Sequence, residues 1–321
     1  MLKSPIKLNT IISIITPSFN QGNFIEETIL SVLNQSYKNI EYFIIDGGST
    51  DNTIEIIKKY EHKINFWISE QDKGQSDAIN KGLKRATGDI VAWLNSDDLY
   101  LPDTLQTVAT IFENNPEVDV VYGDVEQLYS NGHSDYYSVK EFEPFDFLSR
   151  VSIHQPSVFW RRKLHEKVGY LDDTFFYLMD YDLWMRMFFN FKTKKIKRAL
   201  SIFRIHKNAK TYGNPSGMYL EHRKVFARFA NSLKKPEVIE RINSLGIYNN
   251  ETDISYNINI NFSETIINKL INNYIFNCGL QEYSWGNRKN AYLLLKNVFY
   301  SFPLRSIYYL ILNSLCLHGK K

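Results

Sequence analysis

The sequence predicts an α/β fold, a mostly parallel sheet flanked by helices, followed by a helical C-terminal region. Two observations carry this. Across the first 125 residues, short β-branched runs alternate with longer stretches of helical spacing, the signature of strands joined by crossover helices. After Gly213 the alternation gives way to helical pattern alone.

The strands are expected at 11–16, 40–46, 64–69, 89–94 and 118–122, and the helices between them at 24–35, 53–60, 76–86 and 102–114. Pro102 suits a first helical position, because its fixed φ is helical and no N–H is needed there. The stretch 123–206 is mixed, with "HQPSVFWRR", "GYLDDTFFYLMDYDLWMRM" and "IFRIHKNAKT" as its distinctive parts. With 321 residues, a net charge of +3 and 44% hydrophobic content, the chain reads as globular, with room for one large domain or two modest ones. No apolar leader with a small-residue cleavage site precedes the first strand, so a cytoplasmic location is expected. Cys278 and Cys316 have no metal spacing and read as reduced, structural thiols. No dense basic stripe interleaved with aromatics points to nucleic acid.

Function is expected where the strands end. In open α/β sheets the ligand lies in the crevice beyond the carboxyl ends of the strands, and here those ends read "TPSFNQG", "DGGSTDN", "SEQDKGQSD" and "NSDD". In the first, Pro17 fixes the backbone, Phe19 offers an aromatic face and Asn20 a polar edge, a set that suits a nucleobase and ribose; an ordinary turn with Asn20 capping the helix explains the same residues. Asp46 follows four apolar residues and precedes two glycines, so its carboxylate is expected to face the crevice and accept from a base or ribose donor. Asp97 and Asp98 are adjacent like charges at a partly dehydrated strand end, where a divalent cation is the simplest compensation. "MDYDLWMRM" reads as a helix start, with Tyr181, Trp184, Met185 and Phe188 at core spacing and two acids in the first turn, where they favour the helix dipole in any case.

Together, "IITPSFNQGNFIEETILSVLNQSYKNIEYFIIDGGSTDNT", "DKGQSDAINKGLKRATGDIVAWLNSDDLYLP", "MDYDLWMRM" and "FRIH" resemble the family 2 glycosyltransferases of GT-A fold, over residues 11–211. The resemblance implies inverting transfer of a sugar from a nucleotide diphosphate donor to an acceptor hydroxyl, with Mn2+ or Mg2+. It makes 1–212 the catalytic domain, with 9–125 the nucleotide-sugar half and 126–212 the acceptor half, and leaves 213–321 as the helical region. "NSDD" takes the place of the family's DxD-type metal motif. Asn95 stands where many members have the first Asp, so Asp97 and Asp98 would carry the metal, with His206 as a further ligand. Gly47 stands where many relatives have a second acid, which shifts base recognition toward Asp46, Asp72 and Asp77, with UDP the expected nucleotide. By resemblance Asp180 is the general base. Asp182, Trp184, His154, Gln155 and Arg204 fall on the acceptor or diphosphate side.

The expected partners are a nucleotide-sugar donor and a glycan or lipid-linked acceptor in cell-surface polysaccharide synthesis. Six basic residues and no acid follow Glu282, and Pro303 divides the final apolar stretch into halves too short to span a bilayer, which leaves packing or a peripheral contact with the inner membrane face. Two other classes fit less well. A sugar-phosphate nucleotidyltransferase would carry a basic, Gly-rich loop after the first strand, and "TPSFNQGN" has neither Lys nor Arg. A non-catalytic glycan-binding protein would have no reason to hold Asp97, Asp98 and Asp180 together.

Overall fold

β1 (Ile12–Ser18) is buried along its whole length, as a strand covered by helices on both faces must be. In the computed structural model, which describes residues 9–149, 152–210, 214–248, 254–259 and 262–302, this strand lies inside one nine-stranded sheet. After it come α1 (Ile25–Leu33), β2 (Ile40–Asp46), α2 (Thr53–Tyr60), β3 (Phe66–Ser69), α3 (Gln75–Arg85), β4 (Ile90–Trp93), β5 (Leu99–Tyr100) and α4 (Thr104–Asn114). Next are β6 (Val120–Tyr129), β7 (Ser134–Tyr137), α5 (Pro144–Ser149), β8 (Val158–Arg161), α6 (His165–Val168), α7 (Met179–Phe188) and β9 (Thr193–Ile205). Four helices complete the described chain: α8 (Pro215–Ser232), α9 (Pro236–Ser244), α10 (Glu264–Ser284) and α11 (Arg288–Asn297).

The strand order is β3-β2-β1-β4-β8-β6-β9-β5, with β7 paired to β6. The β3-β2-β1-β4 segment is parallel throughout, as the alternating pattern requires. The expected fifth strand is not β4's neighbour. β8 lies between them, antiparallel to both, because "VFW" is fully buried and supplies one more apolar strand from a stretch that reads as mixed. A second difference is at Pro102. Asp103 takes a left-handed φ of 60°, so the helix starts at Thr104 and Pro102 lies in the turn before it.

Three indoles join the sheet to α7. Trp93 of β4 stacks on Trp184 of α7 with centroids 5.5 Å apart, and Trp160 of β8 meets each edge-on at 5.6 Å. All three are buried, so α7 is held against the centre of the sheet.

The chain divides into two compact units, one of residues up to 142 with 152–218, the other of 143–151 with 219 onward. The first contains the sheet. In the second, α10 packs against α11 and α5, and the Arg223–Glu282 ion pair at 2.8 Å is shielded from solvent. Cys278 is a buried free thiol there. Among the described residues no helix is long and apolar enough to cross a membrane. The expectations for Pro303, the apolar segment after it and Cys316 lie outside the described residues.

Candidate active site

At the ends of β1 and β2, two loops are tied together. Asn20, at a left-handed φ of 52°, donates its N–H to Ser49 Oγ at 2.7 Å and accepts the Thr50 N–H on Oδ1 at 2.9 Å. Asp46 is fully buried. Its Oδ2 accepts from the N–H groups of Gly48 and Ser49 at 3.1 and 2.8 Å and from Ser69 Oγ at 2.6 Å, while Oδ1 takes the Ser49 hydroxyl at 2.5 Å. This corrects the expectation that Asp46 faces the crevice. A carboxylate ahead of a tight turn also finds that turn's N–H groups: Gly48, at φ +83°, and Ser49 turn theirs toward it, while the Gly47 N–H goes to the Ser18 carbonyl. Pro17 is likewise a buried strand residue opposite Ile45 rather than a ligand surface, whereas Phe19 is 58% exposed.

Gly47 explains the position of Asp72. A Cβ at residue 47 would lie 2.7 Å from Asp72 Oδ2, so the absent side chain leaves the room that the Asp72 carboxylate occupies. Asp72 is fixed by the Gly74 N–H on Oδ1 at 2.7 Å. Asp77 accepts the Lys73 N–H at 3.2 Å and pairs with Lys81 at 3.3 Å.

Beyond β4, the two carboxylates of "NSDD" face different ways. Asp97 meets His206 Nε2 at 3.1 Å, and that imidazole stacks on Phe24 at 4.6 Å with its Nδ1 buried and without a partner. Asp98 is 1% exposed; Oδ1 accepts the Arg204 N–H at 3.0 Å and Oδ2 the Asn95 amide at 3.4 Å. Burial, and then the charge of Asp97, push the Asp98 carboxyl well above the usual carboxylate range. Arg204 is anchored by Glu27, with which it forms an ion pair, by the Asp97 carbonyl at 3.3 Å and by the face of Phe24, so its guanidinium is a strut rather than an open phosphate contact.

Asp180 lies in the first turn of α7, half-buried, with Oδ1 accepting the Tyr181 N–H at 2.7 Å. Trp184 is one turn further along α7 and Trp93 ends β4, so the stacked indoles pack the helix that bears Asp180 against the strand that leads into the "NSDD" turn. A polar chain fixes the direction. Asn95 Oδ1 accepts from Gln75 Nε2 at 2.8 Å, Gln75 Oε1 accepts from Lys210 at 3.1 Å, and the Lys210 ammonium sits 3.8 Å from the ring centroid of Phe176, just ahead of α7. Sequence reasoning missed Gln75, Lys210 and Phe176, because their link spans 135 residues and leaves no local signal.

Four expected acceptor-side residues need correction. Trp184 is a core indole, and Asp182 is 1% exposed and paired with Arg186 at 2.7 Å, four residues along its own helix. Gln155 is buried and donates to the Trp93 carbonyl at 2.7 Å. His154 packs against Tyr137 and Phe203 and lies 3.4 Å from Gln127, and burial lowers its pKa to about 4. Above pH 6.5 His154 is neutral in both states and contributes no pH dependence. As the pH falls from 6.5 to 4, the unfolded imidazole takes a proton that the folded one refuses, so stability should drop by up to about 3 kcal/mol. Denaturant melts of wild type and His154→Gln over this range check the assignment, the variant showing the shallower slope.

The model of the family described as Glycosyl transferase family 2 matches residues 13–209. The chain belongs to glycosyl transferase family 2. This glycosyltransferase is 31% identical over 246 residues to an uncharacterized glycosyltransferase of Rickettsia typhi, a match covering 73% of this chain and 77% of that one. Its fold matches S. aureus TarS 1–349 in complex with UDP at a TM-score of 0.59, with 17% identity over 94% of this chain and 88% of that one. It also matches the mannosyltransferase PcManGT from Pyrobaculum calidifontis in complex with GDP-Man and Mn2+, at a TM-score of 0.51 and 18% identity, over 100% of this chain and 92% of that one.

In this glycosyltransferase, no three His, Cys, Asp or Glu side chains among the described residues form a metal cluster. Asp97 and His206 nevertheless bring a carboxylate oxygen and an imidazole nitrogen to one point, beside a carboxyl raised by burial and by its neighbour's charge. A hard cation such as Mg2+ or Mn2+ is commonly held by one or two carboxylates, substrate phosphates and water; Asp97 fits that set, and the imidazole adds a nitrogen donor outside it. Asp98, also expected to hold the metal, instead stands behind that pair, 1% exposed, with its two oxygens taken by Asn95 and the Arg204 N–H, which corrects that expectation.

Proposed function

We propose that this glycosyltransferase moves a hexose or N-acetylhexosamine from a UDP-sugar to a hydroxyl of a glycan or lipid-linked saccharide, with inversion at the anomeric carbon. The observation that carries the reading is the Asp97–His206 pair beyond β4, supported by the Trp93–Trp184 stack that packs the helix of Asp180 on that strand and by the chain from Asn95 to Phe176. UDP as the nucleotide is supported by the UDP complex of TarS, and Mn2+ by the PcManGT complex.

Asp180 accepts the acceptor's hydroxyl proton as that oxygen attacks the anomeric carbon on the face away from the diphosphate. The start of a helix suits this work, since the backbone of α7 is held rigidly by its buried face while the carboxylate stays half-open. Exposed Phe19 supplies a face for the base, and Asp72 and Asp77 supply acceptors on the next loop. Asp97 and His206 would hold Mn2+ or Mg2+. When bound, the cation offsets charge on the departing nucleoside diphosphate.

Incubation with a panel of nucleotide sugars in Mn2+, with detection of released nucleotide, tests the reading. Release of UDP from a UDP-hexose or UDP-N-acetylhexosamine is expected. Release from GDP-sugars alone would overturn the nucleotide, and no release from any donor would favour a glycan-binding role.

A further inference from the structure

We infer that Lys210 is a diphosphate-binding residue of this site, its ammonium contacting the phosphate oxygens of the nucleoside diphosphate donor and product. The inference rests on the donor reading above and goes beyond it, because nothing in the sequence motifs singles out Lys210.

Three observations place the charge. Lys210 donates to Gln75 Oε1 at 3.1 Å, Gln75 Nε2 donates to Asn95 Oδ1 at 2.8 Å, and Asn95 Nδ2 donates to Asp98 Oδ2 at 3.4 Å. Every donor in this chain points the same way, from the ammonium to the buried carboxyl, so the links polarise one another and fix the Gln75 and Asn95 amides in one orientation. The ammonium is also held over the Phe176 ring, at 3.8 Å, beside the start of α7. It therefore stands between the helix bearing Asp180 and the turn bearing Asp97, where the diphosphate must lie if both act on one donor.

The other cation near this turn is differently used. Arg204 is 9% exposed and is fixed by Glu27, the Asp97 carbonyl and Phe24. Lys210 hydrogen-bonds the Gln75 amide, and its flexible four-carbon stem lets the ammonium shift toward a phosphate. A diphosphate entering beside Asp97 meets like charge, and an ammonium there lowers that repulsion.

The test measures binding of UDP and of uridine to the full chain in Mn2+, by calorimetry and ligand-observed NMR, for wild type, Lys210→Ala and Lys210→Arg. Lys210→Ala should weaken UDP by about 10- to 100-fold, the worth of a charge-assisted hydrogen bond, and leave uridine unchanged, while Lys210→Arg restores most of the UDP affinity. Unchanged UDP affinity in Lys210→Ala, with wild type binding UDP, overturns the inference and leaves the donor reading intact. Equal weakening of UDP and uridine, with a lower melting temperature, makes Lys210 a structural partner of Gln75 and also overturns it. Failure of wild type to bind UDP or GDP overturns the donor reading itself, and this inference with it.

Discussion

Asp180→Asn should lower turnover by roughly 100-fold or more, the usual contribution of a positioned general base, while UDP affinity stays near the wild-type value. The substitution keeps the side chain's size and an oxygen able to accept the Tyr181 N–H, so the first turn of α7 is preserved and basicity alone is lost. Asp182→Asn is the necessary comparison. It weakens a buried pair with Arg186 and should act on stability, read as a lower melting temperature with kcat per folded molecule little changed. If Asp180→Asn turned over at the wild-type rate, the base would lie elsewhere on the site.

Asp97→Ala should cut Mn2+-dependent activity and metal-dependent UDP binding by about 100-fold or more, since it removes a direct ligand where even outer-shell losses cost 10- to 100-fold. His206→Ala should move both in the same direction, because the imidazole meets the same carboxylate at 3.1 Å. Asp98 separates from the pair. Asp98→Asn retains its shape and removes a charge that burial disfavours, but turns one of two accepting oxygens into a donor facing an N–H, so the two effects offset and the melting temperature in EDTA should change little. UDP calorimetry with and without EDTA distinguishes these outcomes, and an Asp97→Ala protein that binds UDP in Mn2+ as wild type does would remove the metal assignment.

The sheet was legible in the sequence because a parallel strand under two helix layers must be apolar on both faces, and 40–46 and 89–94 have that composition. The polar strand ends were legible for the same reason, since a burial pattern that stops abruptly marks an exit from the core. Asp46 was misread because a sequence places a carboxylate at a strand end without saying which donors are returned to it; Ser49 arrives from the loop after β2 and Ser69 from the end of the neighbouring strand β3. Trp184 was ambiguous in principle, as an indole at helical spacing packs equally well on a sugar or a core, and Trp93 and Trp160 decide the matter from other strands. Lys210 and Gln75 carry no pattern at all, and only the fold makes them neighbours.

The fit between Gly47 and Asp72 constrains how the loops after β2 and β3 can change over generations. A side chain at 47 and the present carboxylate at 72 claim the same space, so the effect of altering either residue depends on the other's state. A lineage gaining an acid at 47 while Asp72 stands passes through a crowded, doubly charged intermediate; one that first shortens residue 72 does not. The two positions therefore form an epistatic pair, with one permissive order of substitution: a library that varies residue 47 alone would score it as restricted, whereas residue 72 can be shortened singly.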